Sequence, residues 1–534
     1  MNFYIFTMLQ CLRGTDWSRR LRGTNRLCLS PTLARPMTTR TRPVPRQTLC
    51  SAIYPLGHPS FDMSLELDRW VGKGNSVRLV ELQNLIRDLR RRRRYKQALE
   101  VSEWTRDKRY ASFMVSDHAV HLDLIGNVQG LLAAKKYFES LKARDKTEKT
   151  YGALLNCYVR ERLVDESLQH FQKMKEMGMA SSPLPYNDIM CLYTNIGLHE
   201  KVPSVLWEMK EDEVLPDNFS YRICINSYGS RSDIEAMEKV LDEMEVQPQI
   251  VVDWNTYSVV ANIYCKAGLN EKAISAMKKA EEKLEKKNGI CYNHLISLYA
   301  ALGKKQDMWR LWELQKQNCK KFINRDYNTM LRALVKLGEL EEAETLLKDW
   351  ESSGNSLDFR VPNILLITYR QSGLMDKAQA MMDDFLKKRK SPPSSSWGIV
   401  ATGFAEKGEM GMAYEFMTSA LCVYTPSSGW EPNSNVIRSI LHYLSDVDEI
   451  KKVENFIGLL KNVIPMNRDM YHTLIKCNLK AGRGVEILLE DMKADGVLPS
   501  EETLQIIASF KSENAISADN RTLCCFFFLI WYFN

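Results

Sequence analysis

No Cys-x-x-Cys pair occurs among the 13 cysteines of this 534-residue chain, so neither a zinc ribbon nor a dithiol redox motif is written into it. The cysteines are irregularly spaced, and the sole adjacent pair is Cys524-Cys525. That pattern suits small buried hydrophobes in a reducing compartment better than disulfides. His118 and His121 stand three apart, as do Cys291 and His294; each pair is half a metal site with no second ligand pair, so no metal or other cofactor is expected. The chain also lacks a phosphate-cradling Gly-Lys-Ser/Thr, a deaminase His-x-Glu and paired acids beyond residue 510, which argues against an enzyme and against a small-molecule substrate. A membrane span needs about 20 consecutive apolar residues, whereas the most apolar run, Leu523 to Phe533, has eleven. No membrane partner is expected, and residues 511–534 read as an irregular polar and then apolar tail.

Neither sign of charge is scarce over the whole chain: 73 basic against 66 acidic residues leave a net +7. That is compatible with a polyanionic partner but too mild to name one. The first 60 residues differ, with nine arginines, no lysine, Asp16 as the only acid and a dozen serines and threonines. Such a segment has the composition of an organellar transit peptide, arginine favouring the mitochondrion over the chloroplast as the alternative. A basic arm that touches RNA directly is the other reading. The segment 1–64 is therefore taken as transit peptide and linker. With 45% hydrophobic and 26% charged residues, the remainder can bury a continuous core.

What the chain has in abundance is self-similarity. Gly268, Gly303, Gly338, Gly373 and Gly408 are spaced by 35 residues, and Tyr257, Tyr292, Tyr327 and Trp397 precede them by eleven, with Pro362 at the missing step. A fixed period of this length marks stacked supersecondary units. Frames begin at 148, 183, 218, 254, 289, 324, 359, 394, 434 and 468, with weaker ones at about 79 and 115. Tyr257, Val260, Ile263 and Tyr264 keep helical spacing, Ala267-Gly268 interrupts it, and Ala273, Ile274 and Met277 resume it. Each frame thus predicts two helices around a glycine turn. Helices this short are marginal alone and must pack on the next unit. The expected fold is all-α, a right-handed superhelical solenoid of 35-residue helix-turn-helix repeats, with residues 65–147 as cap and degenerate repeats and 148–510 as an array of about ten units. Leu67 and Trp70 open the cap, Ala343, Ala378 and Ala413 repeat Ala273 at a close helix crossing, and Thr425-Pro426-Ser427-Ser428-Gly429 is a loop insertion.

The period of 35, with Tyr186-Asn187 and Tyr327-Asn328 opening first helices and Pro216-Asp217 closing a unit, resembles the pentatricopeptide repeat family and its P-type subgroup of plant organelles. The resemblance runs from about residue 79 to 510. It implies single-stranded organellar RNA as the partner, read one base per repeat by the residue after the tyrosine and the last residue of the repeat. Asn187 with Asp217 and Asn328 with Asp358 then match the pair that favours uridine, and Ser258 with Asn288 one that favours adenine. The remaining frames, among them Arg222/Asp253, Asn293/Ile323, Asn363/Pro393 and Gly398/Asn433, depart from the family pattern. Base stacking is expected at the second residue of a repeat, on Leu184, Phe219 and Ile290 and on the flat guanidinium faces of Arg325 and Arg360. Arg90, Arg91 and Arg94, in the densest cluster of charge, are candidates for phosphate contact. Two functions follow as expectations. One is an RNA-binding adaptor in mitochondrial RNA processing, stability, splicing or translation. The other is a scaffold or ribosome-associated protein that binds protein or folded rRNA without a base code.

Overall fold

The computed structural model describes residue 49 and residues 62–108, 113–446 and 449–515. The expected transit segment, apart from its last residues, and the apolar tail lie outside these. The described residues are helical throughout, without a strand, and they divide into two compact units at Leu284/Glu285. The division falls within the frame that begins at 254, not at the loop insertion around Pro426.

In the first unit the first helices are Leu79–Arg91, Val115–Val128, Glu148–Arg160, Pro183–Asn195, Asn218–Ser230 and Trp254–Lys266. In the second unit they are Gly289–Ala301, Asn324–Lys336, Pro362–Gln371, Ser394–Lys407, Ser434–Asp446 and Arg468–Lys480, followed by Glu501–Ala515. The last of these runs past 510, the expected end of the array. All start at the expected frames except Pro362–Gln371, which begins three residues late. Proline lacks an N–H and fits the first helical position, where no partner is needed. Within each unit a first helix packs on its own second helix and on the first helix of the next repeat, so each repeat buries the apolar face its neighbour exposes. Ala273, Ala343, Ala378 and Ala413 are completely buried at the crossings. Helix Met63–Gly72 buries Met63 and Leu67, and its Asp68 accepts Trp104 Nε1 at 2.9 Å, covering the helix Tyr95–Asp107.

The turns show why the glycines recur. Gly268, Gly303, Gly338, Gly373 and Gly408 all have left-handed φ, from 69 to 87°. At the first of them Leu269 N donates to Tyr264 O at 2.9 Å and Gly268 N to Cys265 O at 3.3 Å, the paired bonds that satisfy the last carbonyls of a helix. Arg93, Arg162 and Ser232 adopt the same conformation at matching positions, with φ of 58 to 59°. The turn is imposed by the repeat even where the residue resists it. The tyrosines earn their place by a bipolar role: Tyr186, Tyr221 and Tyr471 are buried, and their hydroxyls donate to Asp212, Glu243 and Asp495 at 2.6, 2.8 and 2.6 Å, near the end of the second helix of the same repeat.

His121 is completely buried, with Nδ1 at 2.9 Å from Ser102 Oγ and Nε2 at 3.1 Å from Arg106 Nη1. Burial, helped by Arg106, pushes its pKa down to about 3, so the ring is a neutral structural group that accepts from the guanidinium. His118 bonds Tyr137 at 2.8 Å. Cys291 is buried, and burial raises its thiol pKa to about 12. Among the described residues no group of three histidines, cysteines or acids is placed to hold a metal ion, and no helix is long and apolar enough to cross a membrane.

Candidate functional site

The residue after the tyrosine lies on the first helix, with its side chain withdrawn from solvent. Asn187, Arg222, Ser258, Asn293 and His472 are between 1 and 7% exposed. Most of these side chains reach the start of the next repeat's first helix. Asn187 Nδ2 donates to Asp217 Oδ1 at 3.2 Å, and the same carboxylate oxygen caps the next helix by accepting from Phe219 N and Ser220 N at 3.0 and 2.9 Å. Arg222 pairs with Asp253 at 3.0 Å, Asn293 donates to Asp326 at 2.7 Å, Ser396 donates to Asn363 at 2.7 Å, and His472 bonds Thr503 at 2.9 Å. The row is a chain of junctions between repeats, each made of one side chain from the first helix and one from the next helix's N-terminus.

The three base-reading pairs expected from the sequence meet different fates. Asn187 and Asp217 come together. Asn328 and Asp358 do not: the Asp358 carboxylate is held by the Arg360 guanidinium, with Nε at 2.9 and 3.0 Å from its two oxygens and Nη2 at 2.6 Å. This fork, together with the Arg360 backbone N–H, keeps the Asp358 pKa below the ordinary carboxylate range despite partial burial. Ser258 and Asn288 fall in different units, and each is engaged locally. Ser258 Oγ donates to Trp254 O at 2.8 Å in its own helix, and Asn288 Oδ1 caps its helix by accepting from Ile290 N at 3.1 Å.

Three junctions use partners the sequence reading passed over. Asp326, Ser396 and Thr503 stand three residues beyond the last residue of the repeat, at the third helical position, and they serve where that last residue is Ile323, Pro393 or Ser500. The signal was present, because a polar residue three positions into a helix is a capping-box residue; Asp326 also accepts from Ile323 N at 2.9 Å. At Gly398 the reading position has no side chain, and Trp430, directly after the insertion, occupies the space. A Cβ there would stand 2.9 Å from its ring.

Four of the unmatched buried atoms recur at the reading position. Asn187 Oδ1, Arg222 Nε, Asn293 Oδ1 and Asn328 Oδ1 are buried without a hydrogen-bond partner. Leaving such an atom unpaired costs about 1–3 kcal/mol, and it recurs at one position of two repeats in each unit.

The flanking candidates are arranged as follows. Leu184 is 41% exposed, Phe219 and Ile290 are half-buried, and Arg325 is exposed. Phe219 already lies 5.8 Å from the Arg222 guanidinium, and Arg360 is exposed but engaged with Asp358. Among the phosphate candidates, Arg90 pairs with Asp123 at 2.6 Å, Arg91 with Asp88 at 3.4 Å, and Arg94 donates to Gln97. Asp123 also holds Arg160 at 3.5 Å, so part of the arginine cluster ties neighbouring helices together.

The comparisons with known proteins agree with this architecture. A family model described as PPR repeat matches residues 149–179, 219–247, 255–283 and 326–355. A pentatricopeptide repeat-containing protein of Arabidopsis thaliana named as mitochondrial is 48% identical over 470 residues, covering 88% of this chain and 96% of the relative. A second such protein of that plant, also named as mitochondrial, is 35% identical over 417 residues, covering 78% and 84%. A large ribosomal subunit protein of the same plant is 31% identical over 477 residues, covering 89% and 97%.

Proposed function

The chain belongs to the pentatricopeptide repeat family, and on that premise we propose that it is a mitochondrial RNA-binding adaptor acting in RNA processing, stability, splicing or translation. The plain 35-residue frames support a place in the P-type subgroup, and the segment 1–64 serves as transit peptide and linker. The observation that carries the reading is the row of buried, unpartnered polar atoms at Asn187, Arg222, Asn293 and Asn328. A splayed base presents donors and acceptors on its edge that complete such atoms, and because each amide is already out of water it loses little hydration in doing so. Asn187 with Asp217 is the junction best arranged to read uridine, since the carboxylate fixes the amide and leaves Oδ1 to accept from the base. The protein acts by occupying a strand and changing what nucleases or structure can reach.

The test is to sequence RNA crosslinked to the tagged protein in isolated mitochondria. A short discrete footprint is expected, and changing Asn187 and Asp217 together should shift the base preferred at one position of it. Binding indifferent to that double change would refute the base-reading role of the pair.

A second reading is favoured by the ribosomal relative and by reading positions already filled within the chain, at Arg222–Asp253, Asp358–Arg360 and Trp430 over Gly398. In it the protein is a scaffold associated with the mitochondrial ribosome that holds protein or folded rRNA without a base code. Crosslinks spread over ribosomal RNA would select it.

A further inference from the structure

Between the first helices that begin at Gly289 and Asn324 lies a cavity of about 310 Å³, with Lys287, Gly289, Lys320, Lys321, Arg325 and Asp326 in its wall. Its four cations take part in no ion pair among the described residues. The second helices of the same unit behave differently: Lys305, Lys377 and Lys388 meet Glu342, Glu344 and Glu351 at 2.6, 2.9 and 2.8 Å. The carboxylate in the wall, Asp326, is 3% exposed and already occupied, Oδ1 by Asn293 and Oδ2 by Ile323 N. Uncompensated positive charge around a concave site attracts an anion.

A second observation lies beside the cavity. Gln315 is fully buried, yet neither atom of its amide has a partner. Its Nε2 lies 2.9 Å from the place a Cβ would take on Gly289, so the unpaired amide stands directly behind that wall residue. An equivalent cavity of about 400 Å³ occurs 70 residues on, where Leu357, Phe359, Ser391 and Ser395 replace Lys287, Gly289, Lys321 and Arg325. The repeat supplies the hollow, and only the first hollow is dressed for an anion.

We propose that this cavity seats a backbone phosphodiester of the bound RNA strand. The inference rests on the RNA-binding reading above and adds to it the anchor. Asp326 links the two, because it holds the reading amide of Asn293 and forms part of the cavity wall, so a base completed at Asn293 carries its phosphate to the lysines. Phosphate is favoured over an acidic protein segment because the cavity adjoins a base-reading position.

The experiment measures binding of a randomised single-stranded RNA pool to the full chain across a range of salt. K320A/K321A should weaken binding about tenfold at low salt and flatten the dependence of log K on log salt by about 0.7, the value for one phosphate contact on a single strand. The charge-matched K278A/K283A, on an exposed stretch of another helix, should stay within about twofold of wild type. G289A places a methyl 2.9 Å from Gln315 Nε2 and 3.3 Å from Asp326 Oδ1, so these buried neighbours must shift; at a temperature where thermal unfolding shows the variant fully folded, its RNA affinity should fall. If the two double variants lose affinity alike, or if G289A binds as wild type, the cavity is not the anchor. Polyglutamate competing as well as RNA would assign it to an acidic protein and overturn the proposal. A wild-type chain that binds no RNA from the pool defeats the RNA reading itself, before any variant is compared.

Discussion

Asn187 with Asp217 and Asn328 with Asp358 are the same two amino acids at the same two positions of two repeats, yet only the first pair forms. In one, the carboxylate holds the amide at 3.2 Å and caps a helix. In the other it turns to a guanidinium two residues on. Two things differ: the next helix starts directly after Asp217 but only at Pro362 beyond Asp358, and the second residue of the following repeat is Phe219 in the first case and Arg360 in the second. A phenylalanine cannot compete for the carboxylate, whereas an arginine at that spacing reaches it with two nitrogens. A repeat position thus has no fixed chemistry, because its neighbour decides which of its atoms are available.

The largest expected effect comes from removing the carboxylates. Asp217→Ala deletes a helix cap and strands the Asn187 amide, so it should cost about 2 kcal/mol in urea unfolding. Asp358→Ala loses an ion pair whose guanidinium is exposed, strands no buried amide, and should cost less, about 1 kcal/mol or under. Equal losses would show that the two junctions carry the same load and would break the comparison.

Exchanging the competing residues comes next. Arg360→Phe releases Asp358 to meet Asn328 and should tighten binding to an RNA with uridine at that step about fivefold, while Phe219→Arg should weaken it at the other step by a similar factor. Unchanged affinity in both would mean that the second residue does not control the pair.

The turns ahead of the two aspartates offer a smaller test. Glu213, which leads to Asp217, has φ of 59°, and Gly354, which leads to Asp358, has φ of 69°. Glu213→Gly should therefore stabilise the chain by about 0.5–1 kcal/mol, and Gly354→Glu should destabilise it about as much. Neither should alter which partner its aspartate chooses, a point that RNA affinity can check.

The smallest effect is in the acid limb. Arg360 lowers the pKa of Asp358 in the folded state, so the pair contributes stability above the unfolded carboxylate value of about 4 and loses it as pH falls through the depressed one. Denaturant unfolding between about pH 5 and 3 should be slightly less acid-sensitive in Arg360→Phe than in wild type. The opposite sign would mean that the fork does not act in solution.

Much of the fold was legible in the sequence because its determinants are local. A period of 35, a glycine where the backbone turns left-handed, and a tyrosine with an apolar body and a polar tip each state their requirement within one repeat. Pro362 even marked the frame whose helix starts late. The site was legible as positions but not as pairings. Asn187, Asn293 and Asn328 could be placed on one row from the register, yet nothing in their own repeats says that Asp326 outranks Ile323 as a partner, or that Arg360 takes Asp358. The junction partners are chosen 30 to 33 residues away, where a side chain of one helix meets the first turn of the next, and Asp358 is lost to that junction through a guanidinium two residues on.

The sequence by itself determined that this protein is an array of paired helices, where each helix turns, and which residues line its row. The tertiary structure decided which of those residues are spent on one another and which are left for a ligand. The reason is physical: turns and helix ends are satisfied by backbone bonds within a few residues, whereas a buried amide, carboxylate or guanidinium is satisfied by whichever partner the packed neighbour brings within hydrogen-bond reach.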